Sequence, residues 1–197
     1  MSGGPPARIV LTGPECTGKT TLAGEIASSL GAPLVVEAAR RFAESFPGPL
    51  SELTVGSIAR LSMDLEESAI AASPTAPAII VRDTDLVSTV VYAKHYYGAV
   101  PPWIEEEARM RRADLYLLCA PDLPWVADGV RDRPAQREQM FDAFFATLAA
   151  IDARVTVIRG NGRARLDTAL EAVSAWRATA SGAATSPPPG RVEPRTP

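Results

Sequence analysis

One eight-residue segment near the start of the chain constrains the fold more than any other feature. Residues 13–20 read Gly-Pro-Glu-Cys-Thr-Gly-Lys-Thr, which matches the pattern G-x4-G-K-[ST]. An apolar run precedes the segment at 9–11, and apolar residues at helical spacing follow it at 22–30. This strand, loop and helix predict a phosphate-binding loop, because glycines let successive backbone N–H groups point at phosphate oxygens beside a helix N-terminus.

The loop pattern predicts tasks for individual side chains. We expect the Lys19 ammonium to reach the β- and γ-phosphates and the Thr20 hydroxyl to bind Mg²⁺, so ATP and Mg²⁺ are the predicted cofactors. The alternative, a glycine-rich turn with a surface lysine, is disfavoured by the flanking strand and helix. For Cys16 a reactive low-pKa thiol and an ordinary small loop residue both stay open. The residues predicted to contact the nucleotide are Gly13, Glu15, Cys16, Thr17, Gly18, Lys19, Thr20 and Thr21.

The rest of the chain alternates between strand-like and helix-like patterns. Runs rich in apolar or β-branched residues predict strands at 8–12, 33–37, 78–83, 114–119 and 154–159. Helical periodicity lies between them, at 20–30, 53–72, 86–97, 136–151 and 166–178. Such alternation predicts an α/β fold in three layers, with a mostly parallel five-stranded sheet and helices on both faces.

Composition limits the domain organisation and the partners. The apolar content of 46% over 197 residues fits one folded domain, which we place at 8–180 after a flexible start at 1–7. Residues 181–197 are rich in proline and poor in large apolar side chains, which predicts a disordered tail. A net charge of -3 argues against nucleic acid as a partner. Two cysteines, no export signal and no long apolar stretch predict a cytoplasmic protein away from membranes; a homo-oligomer stays open.

Acidic residues follow two of the predicted strands. Glu37 ends the run at 33–37, Asp83 ends the run at 78–83, and Asp85 lies two residues further on. Phosphoryl transfer needs one carboxylate to organise the metal and often another to accept the proton of the attacking hydroxyl. We expect Asp83, on a strand beside the one that precedes the loop, to organise Mg²⁺, and Glu37 to hold or deprotonate the acceptor hydroxyl. Which of the two carboxylates accepts the proton stays open. For Asp85, a helix cap and a substrate contact are equally open.

A proline-bounded segment at 120–134 follows the fourth predicted strand and carries Arg131 and Arg133. Arginines on a mobile segment above a phosphate site can close on the transferring group, exclude water and stabilise its charge. We therefore predict an arginine-bearing lid, with both arginines catalytic. A solvated loop with surface Arg–Asp pairs is the alternative.

Four sequence blocks resemble one family, the ribosylnicotinamide kinase domain of bacterial NadR-type proteins. They are Gly-Pro-Glu-Cys-Thr-Gly-Lys-Thr-Thr-Leu at 13–22, Val-Glu-Ala-Ala-Arg at 36–40, Asp-Thr-Asp-Leu at 83–86, and Leu-Tyr-Leu-Leu-Cys-Ala-Pro-Asp-Leu-Pro-Trp at 115–125 with Asp-Gly-Val-Arg-Asp at 128–132. The resemblance implies a P-loop nucleoside-kinase-like fold in single-domain form. It also implies transfer of the ATP γ-phosphate to the 5'-hydroxyl of nicotinamide riboside, giving nicotinamide mononucleotide in NAD salvage.

The resemblance also implies a set of substrate contacts. An aromatic face can hold the cationic nicotinamide ring, and Tyr92, Tyr96 and Trp125 are the candidates, with core packing an equal alternative for the tyrosines. The family pattern usually has Glu-Tyr-Ala-Arg where this chain has Glu-Ala-Ala-Arg at 37–40. A kinase for another small metabolite or deoxynucleoside and a regulatory nucleotide-sensing ATPase stay open as alternative functions. The predicted substrate contacts are Glu37, Arg40, Asp85, Tyr92 and Trp125.

Overall fold

The computed structural model describes residues 4–124 and 136–183. Its apolar runs form five strands, which all pair in parallel in the order β2-β3-β1-β4-β5. The predicted five-stranded sheet is confirmed, and β3 lies beside β1 as expected. The strands are β1 (Ala7–Thr12), β2 (Leu34–Val35), β3 (Ile79–Asp83), β4 (Leu115–Cys119) and β5 (Val155–Ile158).

Seven helices connect and cover these strands in the described part of the chain. They are α1 (Lys19–Leu30), α2 (Ala38–Ser45), α3 (Val55–Ala71), α4 (Leu86–Tyr97), α5 (Pro102–Met110), α6 (Arg137–Ala150) and α7 (Gly162–Ala183).

The helices depart from the sequence prediction in three places. Neither α2 nor α5 was predicted, because both are short and mostly polar. The helix predicted from residue 53 begins instead with a 3-10 turn, Glu52–Thr54. The last helix starts four residues before the predicted 166 and ends at Ala183, so it includes the first three residues of the predicted tail. The rest of that tail lies outside the described residues.

The sheet separates two apolar layers because strand side chains alternate between its faces. On one face, Ile9 and Leu11 of β1 pack with α1 and α7. On the other face, Val10 of β1 and Tyr116 of β4 pack with α3, α4, α5 and α6. The predicted three-layer arrangement is confirmed.

Topology brings the loop after β1 to the functional edge of the sheet. β1 lies at the centre with β3 on one side and β4 on the other, so the chain crosses over in opposite directions around it. Ligands of open α/β sheets bind at such a switch point, at the carboxyl ends of the strands. The loop after β1, the end of β3 and the end of β4 meet there.

A buried ionic network joins α3 to the sheet. Glu66 of α3 is 1% exposed and pairs with Arg82 of β3 and, at 2.6 Å, with Arg8 of β1. A second nitrogen of Arg82 donates to the Ser62 hydroxyl at 2.8 Å. Arg82 therefore faces the α3 side of the sheet, and the next residue, Asp83, faces α1.

Among the helices of the described residues, we find none that combines the length and the apolar character needed to cross a bilayer.

Candidate nucleotide-binding site

Two glycines allow the phosphate-binding loop its path. Gly13 has φ 126°, and a Cβ at this position would lie 2.7 Å from the carbonyl oxygen of Cys119 at the end of β4. Gly18 has φ 72° at the start of α1, where a Cβ would lie 3.0 Å from a methyl group of Leu123. Any larger residue would push the loop away from β4 or out of the left-handed conformation.

Side chains hold the carbonyl groups of this loop. The Thr17 hydroxyl donates to the Pro14 carbonyl at 2.8 Å, and the Lys19 ammonium donates to the same oxygen at 2.7 Å. The Tyr92 hydroxyl donates to the Gly13 carbonyl at 3.3 Å. Lys19 is only 8% exposed, so its charge lies inside the loop.

Two arginines that the sequence analysis missed also bind the loop. Arg165, at the start of α7, donates to the Thr17 carbonyl at 2.9 Å. Arg137, the first residue of α6, donates to the Cys16 carbonyl at 3.2 Å and to the Leu123 carbonyl at 3.0 Å. No local signal identifies them, because they lie 148 and 121 residues away from their partners in the loop.

Asp83 places a buried carboxylate next to the loop. The residue is 2% exposed, and neither carboxylate oxygen has a hydrogen-bond partner of good geometry among the described residues. Burial raises the pKa of Asp83 and the charge of Glu37 raises it further, whereas the nearby Thr20 hydroxyl and the charges of Lys19 and Arg40 lower it. Lys19, Thr20 and Glu37 therefore lie near the Asp83 carboxylate.

Asp85 caps α4. One of its carboxylate oxygens accepts the backbone N–H groups of Val87 at 3.0 Å and Ser88 at 3.4 Å, and the other accepts the Tyr116 hydroxyl at 2.7 Å. Burial raises its pKa despite these bonds and the nearby charge of Arg82. The capping alternative is confirmed, while the substrate contact stays a prediction for a carboxylate whose two oxygens are already engaged. The role of Tyr116 was missed because nothing in an apolar strand marks it.

Glu37 does not end a strand, contrary to the sequence prediction. β2 stops at Val35, and Glu37 is the residue that precedes α2. The short strand is explained by its place at the edge of the sheet, where only β3 pairs with it. The Glu37 side chain is 18% exposed and accepts a hydrogen bond from Arg40 at 3.4 Å. The Glu37 charge raises the pKa of Asp83 and the Arg40 charge lowers it, so both residues lie near that carboxylate.

The tyrosines of α4 support the loop. The rings of Tyr92 and Tyr96 stack with centroids 6.1 Å apart, and Tyr92 also meets Phe144 edge to face at 5.6 Å. The Tyr96 hydroxyl donates to the Glu15 carboxylate at 3.2 Å. The packing alternative is thus confirmed for Tyr92, and its ligand contact stays a prediction.

The remaining predicted residues fall in two groups. Thr20 and Thr21 are exposed in the first turn of α1, and Cys16 is partly exposed with φ 53°. Trp125, Arg131 and Arg133 lie outside the described residues, so the predicted lid stays a prediction.

The parallel sheet and this loop define a P-loop protein with a candidate nucleotide-binding site. The chain belongs to the AAA domain family, whose model matches residues 8–165.

Two curated proteins have sequences similar to part of this chain. The trifunctional NAD biosynthesis/regulator protein NadR of Salmonella typhimurium is 27% identical over 124 residues, which cover 62% of this chain and 30% of that protein. NadR of Escherichia coli matches over the same lengths with the same identity. The chain therefore spans about a third of the length of the curated relatives it matches.

Solved structures agree with this family. A NadR protein in complex with NR superposes with a TM-score of 0.69 and 26% identity, covering 87% of this chain and 51% of the other. Thymidylate kinase from Ehrlichia chaffeensis superposes with a TM-score of 0.61 over 87% of this chain and 99% of its own. At 16% identity the second likeness shows the fold alone. The resemblance to the NadR-type kinase domain is confirmed.

Proposed function

We propose that the chain transfers the γ-phosphate of ATP to the 5'-hydroxyl of nicotinamide riboside, giving nicotinamide mononucleotide and ADP. The observation that carries the proposal is the buried Asp83 carboxylate beside the phosphate-binding loop, with the Glu37 carboxylate nearby. The nicotinamide base comes from the likeness to NadR, of which one solved structure contains NR.

The residues beside the loop fit a magnesium ion. A buried carboxylate whose oxygens have no hydrogen bond of good geometry, as Asp83 is within the described residues, is costly unless it meets a cation. Thr20 supplies an exposed hydroxyl on the same side of the sheet. We propose that Asp83 and Thr20 hold Mg²⁺, which when bound neutralises charge on the β- and γ-phosphates.

The other side chains divide the work of the transfer. Lys19 leaves the Pro14 carbonyl and binds the β- and γ-phosphates, while loop N–H groups hold their remaining oxygens. Glu37 accepts the proton of the 5'-hydroxyl as its oxygen forms the bond to the γ-phosphorus. The bond from that phosphorus to the β-phosphate oxygen breaks, and ADP leaves. Arg131 and Arg133 stabilise the transferring group from the lid.

A product assay tests the acceptor. Purified protein is incubated with ATP and Mg²⁺ and with nicotinamide riboside, thymidine, deoxyadenosine or no nucleoside, and ADP and the nucleotide product are quantified by chromatography. We expect equal amounts of ADP and nicotinamide mononucleotide with nicotinamide riboside only. The 5'-deoxy analogue should raise the melting temperature with ATP but yield no ADP, since it has no hydroxyl to phosphorylate.

Two results would contradict the proposal. ADP release at the same rate with and without each nucleoside would identify a nucleotide-sensing ATPase. Phosphorylation of thymidine or deoxyadenosine in preference to nicotinamide riboside would leave the kinase chemistry and change its substrate. The Lys19→Ala variant controls for contaminating kinases, because it removes a phosphate contact of the loop.

A further inference from the structure

Two arginines from the C-terminal half of the chain donate hydrogen bonds to backbone carbonyls of the phosphate-binding loop. One guanidinium nitrogen of Arg165 lies 2.9 Å from the Thr17 carbonyl oxygen, and one of Arg137 lies 3.2 Å from the Cys16 carbonyl oxygen. The two carbonyls belong to consecutive peptide groups. Each of these hydrogen bonds has a charged donor, which makes it stronger than a bond between neutral groups.

A hydrogen bond to a backbone carbonyl also fixes the orientation of the N–H group in the same peptide. In a planar trans peptide the C=O of one residue and the N–H of the next point in opposite directions. Arg165, by binding the Thr17 carbonyl, therefore fixes the direction of the Gly18 N–H. Arg137 does the same for the Thr17 N–H through the Cys16 carbonyl. These N–H groups belong to the loop pattern that cradles phosphates.

We propose that Arg165 is a positioning residue for phosphate binding, and that Arg137 assists it. Arg165 aims the Gly18 N–H at a phosphate oxygen of the nucleotide before the nucleotide arrives. The inference rests on the ATP binding of the proposed function, and it adds a residue far from the loop in sequence. The role proposed for Arg165 involves neither the acceptor nor the base.

The surroundings of Arg165 make it rigid enough for this task. It is 4% exposed, and a second guanidinium nitrogen donates to an Asp122 carboxylate oxygen at 2.9 Å and to the Gly160 carbonyl at 2.6 Å. The other oxygen of Asp122 accepts the Gly160 N–H at 2.7 Å. Although burial opposes it, this N–H and the Arg165 charge lower the pKa of Asp122, which keeps the carboxylate ionised.

A lysine cannot replace this arrangement. The fork of Arg165 reaches the Thr17 carbonyl with one nitrogen and Asp122 with another, whereas an ammonium is a single point of charge. Arg165→Lys therefore keeps the positive charge and loses one of the two contacts. Arg163→Lys is the matched control, because Arg163 lies on the same helix turn and is 80% exposed. Its ion pair with Asp167 lies on the protein surface.

The test measures phosphate affinity directly. Dissociation constants for ATP and for inorganic tripolyphosphate are determined by calorimetry on the wild type, Arg165→Lys and Arg163→Lys. We expect Arg165→Lys to weaken both ligands by a similar factor of about ten, the effect of one charge-assisted hydrogen bond. Arg163→Lys should match the wild type. Weaker ATP binding with unchanged tripolyphosphate binding would mean that Arg165 contacts the base or ribose, and would overturn the inference.

Two further measurements separate positioning from general stability. With ¹⁵N-labelled protein, tripolyphosphate should shift the Gly18 amide resonance in the wild type and much less in Arg165→Lys. A lower melting temperature with unchanged affinity and an unchanged Gly18 shift would make Arg165 purely structural. If Arg165→Lys does not fold, Asp122→Asn loosens the same guanidinium and should weaken both ligands about threefold; an unchanged affinity would refute the inference.

The proposed phosphorylation of nicotinamide riboside and the proposed role of Arg165 can be refuted separately. A wild-type protein that binds tripolyphosphate through Gly18 but phosphorylates no nucleoside would overturn the proposed function and support the role of Arg165.

Discussion

Removing the charge of Asp83 should stabilise the nucleotide-free protein while it damages the site. The carboxylate is 2% exposed, and neither oxygen has a hydrogen bond of good geometry among the described residues, although the Thr20 hydroxyl lies nearby. The folded state therefore bears a desolvation cost in the absence of a cation. Asp83→Asn keeps the shape and removes the charge. Burying an unsatisfied polar group costs about 1–3 kcal/mol, and the amide still bears part of it, so we expect a gain of about 1 kcal/mol.

The assay is thermal unfolding without nucleotide at several pH values. A gain of about 1 kcal/mol raises the melting temperature by roughly 2–4 °C in a protein of this size. Because burial raises the pKa of Asp83 in the folded state, the folded protein binds more protons than the unfolded chain. Wild-type stability therefore falls as pH rises from the ordinary value of 3.8 through the higher folded value. The advantage of Asp83→Asn should be full above that window and vanish below it.

Two comparisons test whether the buried charge of Asp83 lowers the stability of the wild type. Asp142→Asn, an exposed carboxylate of α6, should change the melting temperature by much less than Asp83→Asn. Added Mg²⁺ and ATP should stabilise the wild type more than Asp83→Asn, since the cation offsets the buried charge. If Asp83→Asn melts at or below the temperature of the wild type at neutral pH, the buried charge does not destabilise the folded protein. The argument for a cation site then fails.

The remaining predictions concern turnover and the cap of α4. Lys19→Ala should lower kcat/KM by at least about a hundredfold, with a circular dichroism spectrum like that of the wild type, since the ammonium acts on phosphate charge; near wild-type kinetics would reject the loop assignment. Glu37→Gln should lower kcat at every Mg²⁺ concentration, whereas Asp83→Asn should raise the Mg²⁺ requirement and be partly rescued by excess metal. Superimposable magnesium titrations would contradict this division of roles. Tyr116→Phe leaves the Asp85 carboxylate without its hydroxyl donor and should cost about 2 kcal/mol, or roughly 4–8 °C in thermal unfolding; an unchanged melting temperature would show that the bond adds nothing.

The parts of the molecule that local sequence dictates were predictable. The buried strands leave continuous apolar runs, and α4 was predicted with both ends correct because Asp85 caps it and Gly98 ends it. The phosphate-binding loop was predictable because its chemistry lies within eight consecutive residues.

Contacts between residues far apart in the chain could not be predicted from the sequence. The hold of Arg165 on Thr17 joins residues 148 apart, and the bond of Tyr116 to Asp85 depends on two neighbouring elements meeting. Short polar helices such as α2 form because the rest of the protein holds them rather than because of their own periodicity. For that reason Glu37 was placed on a strand rather than before a helix.

Alternation along β3 insulates one charge from its neighbour. Arg82 and Asp83 are adjacent in the chain, yet Arg82 pairs with Glu66 on one face of the sheet while Asp83 meets Thr20 on the other. The backbone thus keeps the Arg82 charge on the face of the sheet opposite to the Asp83 carboxylate. A one-residue insertion or deletion within β3 would reverse the two faces and turn the arginine toward the loop. Such a register shift would put a positive charge where the proposed cation site needs a carboxylate, and it would turn Asp83 toward Glu66, even if the sheet still formed.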